Sequence, residues 1–523
     1  MRKLLYVLLF VGTYMVSAQS KTIENMVKFK VKDSGSFLDD ANDVDGYYFF
    51  YEVDKLKKGM REYAVNILDK NLNDVALKKF IASKKSVLAA NAFNNEAILF
   101  ALFDKKAKTL TLKGFDKKAN PKDDIIVTLD KKVVRVLKAG LNLGNLNNLL
   151  YPVKNKGFIL VLPNFEGKGT GYSLSFYPSN ENEKPWTYEF VPREKRGHHQ
   201  ITPVALDDKF VVLTDVRVKG MSAKREFKTV VLNSQTGEKL FEKLYDKNDP
   251  KLITNAFISE DGKISVMGQY YKPKAKIAKA QSLGLYTEQF DEKGEVLFSK
   301  RISWQEDVSK FLPVKKNNKL KNIGYIFFHD IIKTQSGEYY GIGEQYKKTV
   351  SALGVASGIL AAAAGGVQTG GYTQLTIKDV YMFKFDKDFN LTDVQVFEKG
   401  KSRVQNLVDY GSPQLSAYMI KAIGGFDFVY SQRDVKRDRF YANFIDYERG
   451  DKKKKKNKEK KKSRFVFKTI IQDGGELSVD NVELPKQSRY FRVLPAKVGH
   501  VLLLEYDRKK KSSSLHMEKL NIN

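Results

Sequence analysis

The chain has 523 residues and no cysteine, and its 91 Lys and Arg against 61 Asp and Glu give a formal net charge of +30 at pH 7. The lack of cysteine excludes disulfides, thiol nucleophiles and a lipid-modified cysteine, so stability has to come from a large apolar core. A net charge this far from zero bears on solubility and partners rather than on fold. It fits a soluble, Lys-rich exported protein, and it also fits a protein that binds an anionic partner.

The N-terminus has the pattern of a secretory signal peptide. A basic pair at positions 2 and 3 precedes an apolar run at 4–16, and small residues come before Gln19. An uncleaved membrane anchor would need about 20 spanning residues and does not fit this small-residue exit. We therefore expect cleavage after Ala18 and export of a single domain that covers residues 19–523.

The clearest repeat lies in residues 252–304. Apolar and polar residues alternate on both sides of the turn Asp261-Gly262, and a second pair of apolar runs flanks the turn that begins at Phe290-Asp291. Alternation with period two, bounded by Asp/Gly turns, predicts two antiparallel hairpins. The pattern recurs at residues 325–400, and in both copies two glycines six residues apart mark the first turn and the strand after it. A four-stranded unit repeated at this spacing is typical of a β-propeller blade.

Turns that open such a unit recur along the whole chain. They are found near Asp45-Gly46, Asn94-Asn95, Asn155 to Gly157, Asp207-Asp208, Asp261-Gly262, Ser336-Gly337, Gly424-Gly425 and Lys497 to Gly499. The sequence therefore predicts an all-β fold, a single β-propeller of eight four-stranded blades. Seven blades is the second choice, because the units near 94 and 154 are weak. No linker or change of period divides the chain into two domains.

The two ends of the chain are predicted to meet in one blade. Val27 to Lys32 alternates as a half-buried strand but has no hairpin partner beside it. The last unit, with strands at 501–504 and 515–520, runs out of chain before its outermost strand. We expect the N-terminal strand to complete this last blade, since closing the ring removes exposed sheet edges.

Basic residues cluster in loops of one kind. Insertions near 271–284, 347–378 and 433–463 are predicted between the second and third strands of their blades, on the same face as the links between blades, where loops commonly carry function. Lys436 and Arg437 are assigned to the third of these. The candidate binding residues are Lys272, Lys274, Lys276, Lys279, Lys453, Lys455, Arg508, Lys509 and Lys510. Such runs attract polyanions without selecting among them; a solvated Lys tract with no ligand is the alternative.

Residues 349–377 contain no charged side chain, and small residues recur there every four positions, at Gly354, Gly358, Ala362 and Gly366. That spacing is found in close-packed membrane helices. A span is disfavoured because it would divide a blade across a bilayer. A flexible apolar loop is the simplest interpretation, and contact of residues 350–367 with a lipid or a partner is the alternative.

Catalytic and metal-binding signatures are few. The spacing of Asp386, Asp388 and Asn390 is that of a calcium loop, but Leu391 takes the Gly position, so we interpret it as a hairpin turn. His198-His199 falls in a predicted polar linker and would need unidentified partners to hold a metal. No metal or cofactor is predicted. Carboxylate pairs for glycoside hydrolysis can come from different blades without a local motif, so that activity stays open.

Two short segments resemble known propellers. Residues 233–241, with Thr236-Gly237, resemble the repeat hairpin of quinoprotein-like propellers, but the single copy ends in Phe241 rather than Trp, so their cofactor is not implied. Residues 259–262 faintly resemble the Asp-box of sialidases. The chain as a whole resembles exported, uncharacterised propeller-like proteins of Bacteroidota in its signal peptide, its Cys-free Lys/Asn-rich composition and its Phe-Asp hairpins. This resemblance implies an envelope location and no activity.

The sequence thus favours an exported propeller scaffold or binding protein that turns a basic loop face toward an anionic partner. Acidic polysaccharide, lipopolysaccharide or an envelope protein would fit, whereas nucleic acid is not expected as a physiological partner. Residues 512–523 complete a blade instead of forming a sorting domain, which favours the periplasm over the outside. The alternatives are a polysaccharide hydrolase with pore-facing carboxylates, and an envelope-associated factor that contacts membrane or a partner through residues 350–367.

Overall fold

The structure, a computed structural model, describes residues 19–23, 31–39, 43–142, 149–194, 197–219, 225–259, 261–277, 279–320, 324–352, 371–406, 412–448, 464–482, 491–507 and 512–520. Within them the chain is almost entirely β-strand. The helices bounded there are α1 (Lys131–Asn142) and α2 (Pro413–Ala422), with single 3-10 turns at Lys57–Gly59, Val308–Lys310 and Val435–Arg437. None of the helices described has the length and apolarity needed to cross a membrane.

The strands form eight antiparallel sheets, each running from the centre of a ring to its rim. Blade 1 contains β2 (Val31–Leu38), β3 (Val44–Lys55), β4 (Met60–Asp69) and β5 (Asp74–Ser83). Blade 2 contains β6 (Ser86–Phe93), β7 (Ala97–Asp104), β8 (Thr109–Asp116) and β9 (Ile125–Thr128). Blade 3 contains β10 (Leu150–Val153), β11 (Gly157–Asn164), β12 (Gly171–Pro178) and β13 (Trp186–Phe190). Blade 4 contains β14 (Gly197–Leu206), β15 (Phe210–Lys219), β16 (Arg225–Asn233) and β17 (Lys239–Leu244).

The second half of the ring repeats this arrangement. Blade 5 contains β18 (Lys251–Ile258), β19 (Ile264–Tyr270), β20 (Gly284–Phe290) and β21 (Val296–Ser303). Blade 6 contains β22 (Tyr325–Lys333), β23 (Tyr339–Val350), β24 (Thr373–Phe385) and β25 (Leu391–Phe397), and β26 (Ser402–Gln405) pairs with β24 as a fifth strand. Blade 7 contains β27 (Phe428–Asp434), β28 (Arg439–Glu448), β29 (Arg464–Asp473) and β30 (Glu476–Val482). Blade 8 contains β31 (Phe491–Pro495), β32 (His500–Asp507), β33 (Ser512–Lys519) and β1 (Gln19–Ile23).

The predicted eight-bladed propeller is confirmed, and so is the closure of its ring by a strand from the N-terminal end of the chain. That strand is β1, not the predicted strand at residues 27–32. β1 pairs antiparallel with β33, with Lys21 opposite Leu515, whereas Val31 and Lys32 belong to β2, the innermost strand of blade 1. Residues 27–30 lie outside the described part of the chain. The alternation at 27–32 marks a half-buried strand, and an inner strand satisfies that pattern as well as a closing one does.

One predicted blade opening is also wrong. Gly424-Gly425 does not turn between strands; it follows α2, where Gly424 has φ +67° and its N–H bonds to the carbonyl of Lys421. A left-handed glycine of this kind is a common helix terminator. The first turn of blade 7 lies instead at Val435–Arg437, so the strand that the sequence placed inside an inserted loop is β28, the second strand of that blade.

A repeated Asp turn joins the third and fourth strands. The Asp386 carboxylate accepts hydrogen bonds from the backbone N–H groups of Asp388 and Asn390 and from the Asn390 amide. Asp69, Asp116 and Asp291 make the corresponding backbone bonds in their own blades. A short side chain that satisfies the turn in this way favours a hairpin, which explains the recurrent Asp without a metal ion.

The core consists of apolar clusters between neighbouring blades, and each of the eight interfaces has one. Because blades pack face to face, a second strand is covered on both sides. β7 is buried along seven of its eight residues and therefore has an apolar run rather than alternation. Helix α1 adds Val133, Val134 and Leu137 to the cluster between blades 2 and 3.

The repeated glycine of the second strand sits at a bulge of the first strand. Gly268 lies opposite Ile253, where the register of β18 shifts, and Gly343 lies opposite Phe328, where β22 shifts in the same way. A Cβ on Gly268 would stand 1.9 Å from the carbonyl oxygen of Leu252. Gly268 therefore marks a close approach of two backbones at this bulge, whereas a Cβ on Gly343 would first meet the Ile326 side chain, at 2.5 Å.

Candidate functional site: the loop face and the channel helix

Antiparallel order within each blade divides the connections between the two sides of the ring. The second-to-third connections and the links between blades leave on one side, which we call the loop face, and the remaining turns leave on the other, the turn face. Residues 271–283 join β19 to β20 on the loop face. The connections between β23 and β24, between β28 and β29, and between β32 and β33 are of the same class in blades 6, 7 and 8.

Four of the predicted binding residues are brought together in the blade 5 loop. Lys272, Lys274, Lys276 and Lys279 are all exposed. The loop is held by Tyr271 and Ile277, which are buried in the apolar cluster of blades 4 and 5. Within the described residues no carboxylate lies within ion-pair distance of any of the four ammonium groups.

The other five predicted residues, Lys453, Lys455, Arg508, Lys509 and Lys510, lie outside the described residues. Their segments are bounded by strand ends on the loop face, at Glu448 and Arg464 in blade 7 and at Asp507 and Ser512 in blade 8.

Lys436 and Arg437 do not belong to this face. They occupy the turn between β27 and β28. The neighbouring turn of blade 6 bonds to the residues on either side of them: the Gln335 backbone N–H donates to the Asp438 carboxylate, and the Gln335 side chain donates to the carbonyl of Val435. Both turns join first to second strands and so lie on the turn face. The predicted position of Lys436 and Arg437 is wrong because β28 is the second strand of blade 7 and not part of an inserted loop, so the turn before it lies on the opposite side of the ring.

Lys247 is a basic residue of the loop face that the sequence analysis missed. It is exposed in the link between blades 4 and 5, and its carbonyl accepts a hydrogen bond of 2.6 Å from the Lys274 N–H. Its position could have been predicted from the sequence, because the links between blades lie on the same face as the connections between second and third strands. Asp249 in the same link is already paired with Lys251 and Arg301.

Helix α2 lies across the central channel on the loop-face side. It follows β26 and precedes β27, and its residues contact the inner strands of separate blades: Tyr418 reaches Thr202 of β14, and Lys421 reaches His329 of β22. Just before the helix, Ser412 donates to the carbonyl of Ile277 at 3.4 Å, which joins it to the Lys-rich loop of blade 5. Ala417 and Ile420 pack in an apolar cluster on blade 6.

The carboxylates on the described inner strands are Asp33, Asp330 and Asp434, and each contacts a different polar side chain. Asp33 is ion-paired with Arg492 at 3.3 Å, and Asp434 is ion-paired with Arg437 at 3.2 Å. Asp330 accepts a hydrogen bond from the Ser431 hydroxyl. No cluster of three His, Asp or Glu side chains suited to a metal ion occurs in the described part of the chain.

Beneath α2, blades 6 and 7 share a buried group of charges. Glu344 Oε2 accepts from the backbone N–H groups of Asp427 and Phe428 at 3.0 and 2.9 Å. Lys399 Nζ lies 2.5 Å from Asp427 Oδ2 and 3.4 Å from Glu344 Oε1. Burial raises the pKa of Asp427, and it lowers the pKa of His329 to about 4. The bonds from Glu344 to the backbone of blade 7, and the ion pairs of Lys399 with Glu344 and Asp427, fasten the two blades together.

His198 and His199 lie in strand β14, not in a linker. His198 Nδ1 lies 2.9 Å from Thr170 Oγ1, whereas His199 Nδ1 lies 2.9 Å from Asp215 Oδ1. Successive strand residues point to opposite faces, so the two imidazoles cannot share one ligand.

Among solved structures, the ring is similar to a quinohemoprotein alcohol dehydrogenase from Comamonas testosteroni, with 9% identity and a TM-score of 0.40 over 95% of this chain and 78% of that chain. It is similar to prolyl oligopeptidase B from Galerina marginata, with 8% identity and a TM-score of 0.39 over 93% of this chain and 55% of that chain. The propeller domain of the Trilobed protease from Pyrococcus furiosus shares 12% identity at a TM-score of 0.31, over 72% of this chain and 96% of that domain.

The chain spans about half the length of the prolyl endopeptidase and oligopeptidase chains that it matches. At these identities and TM-scores the similarities carry no argument about activity. None of the curated proteins matches the chain. A family of unknown function, DUF6770, matches residues 1–521, and the chain belongs to that family.

Proposed function

We propose that the protein is an exported binding protein that holds an anionic partner on its loop face. The observation that carries this proposal is the blade 5 loop, in which Lys272, Lys274, Lys276 and Lys279 stand exposed without a carboxylate at ion-pair distance in the described structure. Exposed charges act over about 8 Å at physiological salt, so cations add usefully when they share one side of the ring. Lys247 extends the same patch.

The partner that suits this patch is a flexible polyanion such as an acidic polysaccharide or lipopolysaccharide. Lysine ammonium groups are compact, strongly hydrated charges on flexible stems and impose little geometry on the anion. The Lys-rich segments of blades 7 and 8, with Lys453, Lys455 and Arg508 to Lys510, are anchored to strand ends on the same side. A long anion could therefore follow the face across several blades.

Export and a periplasmic location belong to the same proposal. The N-terminal sequence has the basic, apolar and small-residue order of a signal peptide. The closing strand β1 begins at Gln19, the first residue after the expected cut. Cleavage after Ala18 would thus leave the strand that completes blade 8 intact.

The test is a salt titration of binding to fluorescent dextran sulfate and to lipopolysaccharide. A variant with Lys272, Lys274, Lys276 and Lys279 replaced by Ser should bind about tenfold more weakly at physiological salt, and its affinity should depend less steeply on salt. The matched control replaces four exposed lysines of the turn face, Lys118, Lys209, Lys293 and Lys387, by Ser. It removes the same charge and should bind nearly as the unaltered protein does.

Equal weakening in the two variants would mean that net charge, not the loop face, attracts the anion. Absence of salt-sensitive binding by the unaltered protein would refute the proposal outright.

A further inference from the structure

A cleft of about 380 Å³ lies between the rim of blade 3 and one face of blade 4, away from the Lys-rich loop. Its wall on the side of blade 3 is the end of β13 and the residues that follow it, from Phe190 to Glu194. Its floor is formed by side chains of the four strands of blade 4 that point to the same face, among them His199, Asp215 and Lys228.

The floor is built around one buried carboxylate. Asp215 is 1% exposed, and its oxygens lie 2.9 and 3.0 Å from His199 Nδ1 and 3.5 Å from Lys228 Nζ. The Tyr172 hydroxyl donates to the same carboxylate at 3.5 Å. The imidazole of His199 contacts Asp215 through Nδ1, which leaves Nε2 for a second contact. Gly197 borders this nitrogen: a Cβ there would stand 3.9 Å from Nε2.

Positive and negative groups alternate around the cleft. Arg217 is paired with Glu194 and, at 2.8 Å, with Glu226. Lys228 lies 3.4 Å from Glu242 as well as near Asp215. The side chains of Glu194, Glu226 and Glu242 are 66%, 47% and 42% exposed, so a ligand can approach them from solvent although each is ion-paired. Neither positive nor negative charge predominates in the cleft, which disfavours a ligand that carries only one kind of charge.

The lip of the cleft is aliphatic. Val191 and Leu244 are 40% and 60% exposed although both are large apolar side chains. The ring of Phe190 is not free for stacking, since Tyr172 stacks on it at 5.1 Å between centroids and Lys228 Nζ lies 4.6 Å from its centre. Saccharides are commonly held against a free aromatic face, and the cleft does not offer one here.

We propose that this cleft binds a small zwitterion with an aliphatic part, an amino acid or a short peptide. Its carboxylate would bind Arg217, and its ammonium group would lie among the carboxylates of Glu226 and Glu242. The aliphatic part covers Val191 and Leu244, and His199 Nε2 makes a hydrogen bond with the ligand. The volume is in the range of small-molecule sites, which is about 300–1,000 Å³.

The test is isothermal titration of the full protein with the dipeptide Leu-Leu. Its doubly blocked analogue, N-acetyl-Leu-Leu amide, carries no charge, and maltose serves as a saccharide. We expect saturable binding of Leu-Leu, at least tenfold weaker binding of the blocked analogue, and no binding of maltose. Arg217→Gln should weaken Leu-Leu binding about tenfold.

Gly197→Leu tests the location. Gly197 does not have a positive φ, and the nearest atom to its Cβ position is Arg217 Nε at 3.5 Å, so the backbone accepts a side chain that then fills the cleft. We expect this variant to lose Leu-Leu binding at an unchanged melting temperature, and Gly197→Ala to retain part of it. If Gly197→Leu does not fold, the affinity of Arg217→Gln for Leu-Leu tests whether the dipeptide binds in this cleft.

No saturable binding of Leu-Leu, equal affinity for the blocked analogue, or unchanged binding in Gly197→Leu and Arg217→Gln would each overturn the proposal. The loop-face variant lacking four lysines should bind Leu-Leu normally, so this proposal and that of the anionic partner fail independently.

Discussion

Lys421 Nζ lies 3.2 Å from Nδ1 of His329, so a cation of the channel helix donates to a neutral imidazole on an inner strand. The other ring nitrogen, Nε2, lies 3.1 Å from Glu344 Oε2. This arrangement needs the uncharged ring, because a proton on Nδ1 would point at the ammonium group. Burial, opposed by Glu344, lowers the pKa of His329 to about 4.

The first prediction concerns acid sensitivity. The pKa of His329 falls from 6.5 when unfolded to about 4 when folded, so the unfolded chain takes up the proton first. The stability linked to His329 is therefore complete above about pH 6.5 and lost as the pH falls toward 4, by at most about 3 kcal/mol.

Replacing His329 by Gln removes that contribution. The difference in unfolding free energy between pH 7 and pH 4.5, measured with urea, should be smaller in His329→Gln than in the unaltered protein. His198→Gln, which changes an exposed imidazole, is the control and should leave the difference unchanged. An equal acid loss in His329→Gln and the unaltered protein would show that the imidazole does not titrate in this window.

The second prediction concerns closure of the ring. Deleting residues 19–23 removes β1 and exposes the edge of β33. Because every blade is supported by two neighbours, the melting temperature should fall for the whole ring in one transition. Lys21→Ser keeps the strand and removes only the contact of Lys21 with Asp74, and it should melt almost normally. Calorimetry that shows no change after the deletion would mean that the ring is closed without β1.

The third prediction concerns the repeated glycine. In Gly268→Ala the new methyl group meets the backbone of Leu252 at 1.9 Å, whereas in Gly343→Ala the nearest atom is Cγ2 of the Ile326 side chain at 2.5 Å, and the nearest backbone atom is the carbonyl oxygen of Phe327 at 3.1 Å. A side chain can move and a paired strand cannot, so Gly268→Ala should be the more destabilising, by about 1–3 kcal/mol. Urea unfolding of the two variants measures the order, and Gly197→Ala serves as a glycine with room for a methyl group. The reverse order would contradict the close approach of the Leu252 backbone as the reason for glycine at position 268.

The fourth prediction concerns the uncharged segment of blade 6. β23 and β24 stay paired up to Val350 and Thr373, so the chain leaves and re-enters the blade at one point. Replacing residues 353–370 by a short Gly/Ser linker should leave the melting temperature unchanged, since loop length changes closure entropy only slightly. Failure to fold would make the segment part of the core. Vesicle flotation of both proteins then tests for lipid contact. If the segment contacts lipid, the unaltered protein should bind vesicles and the protein without the segment should not.

Much of the propeller can be read in the sequence, because a blade is made of local signals. Alternation with period two, an Asp turn such as that at Asp386 and the close backbone approach at Gly268 all act between residues near one another in the chain. They specify strands and hairpins wherever they occur, so both the blade count and the all-β class follow from them. The exposed lysines at 272–279 were also predictable, because an inserted loop between two strands has to leave the blade.

What the sequence determined by itself was therefore the repeating blade and the loops that interrupt it. The tertiary structure alone decided which strand closes the ring. Local alternation does not distinguish a closing strand from an inner one, and only the full circle shows that β1 closes blade 8 while Val31 and Lys32 belong to blade 1. The tertiary structure alone also brought Lys421 to His329, 92 positions apart, and placed the end of β13 against His199 and Asp215 of the next blade. These contacts join side chains on different blades, and their pairing depends on the geometry of the closed ring, which no local pattern of residues records.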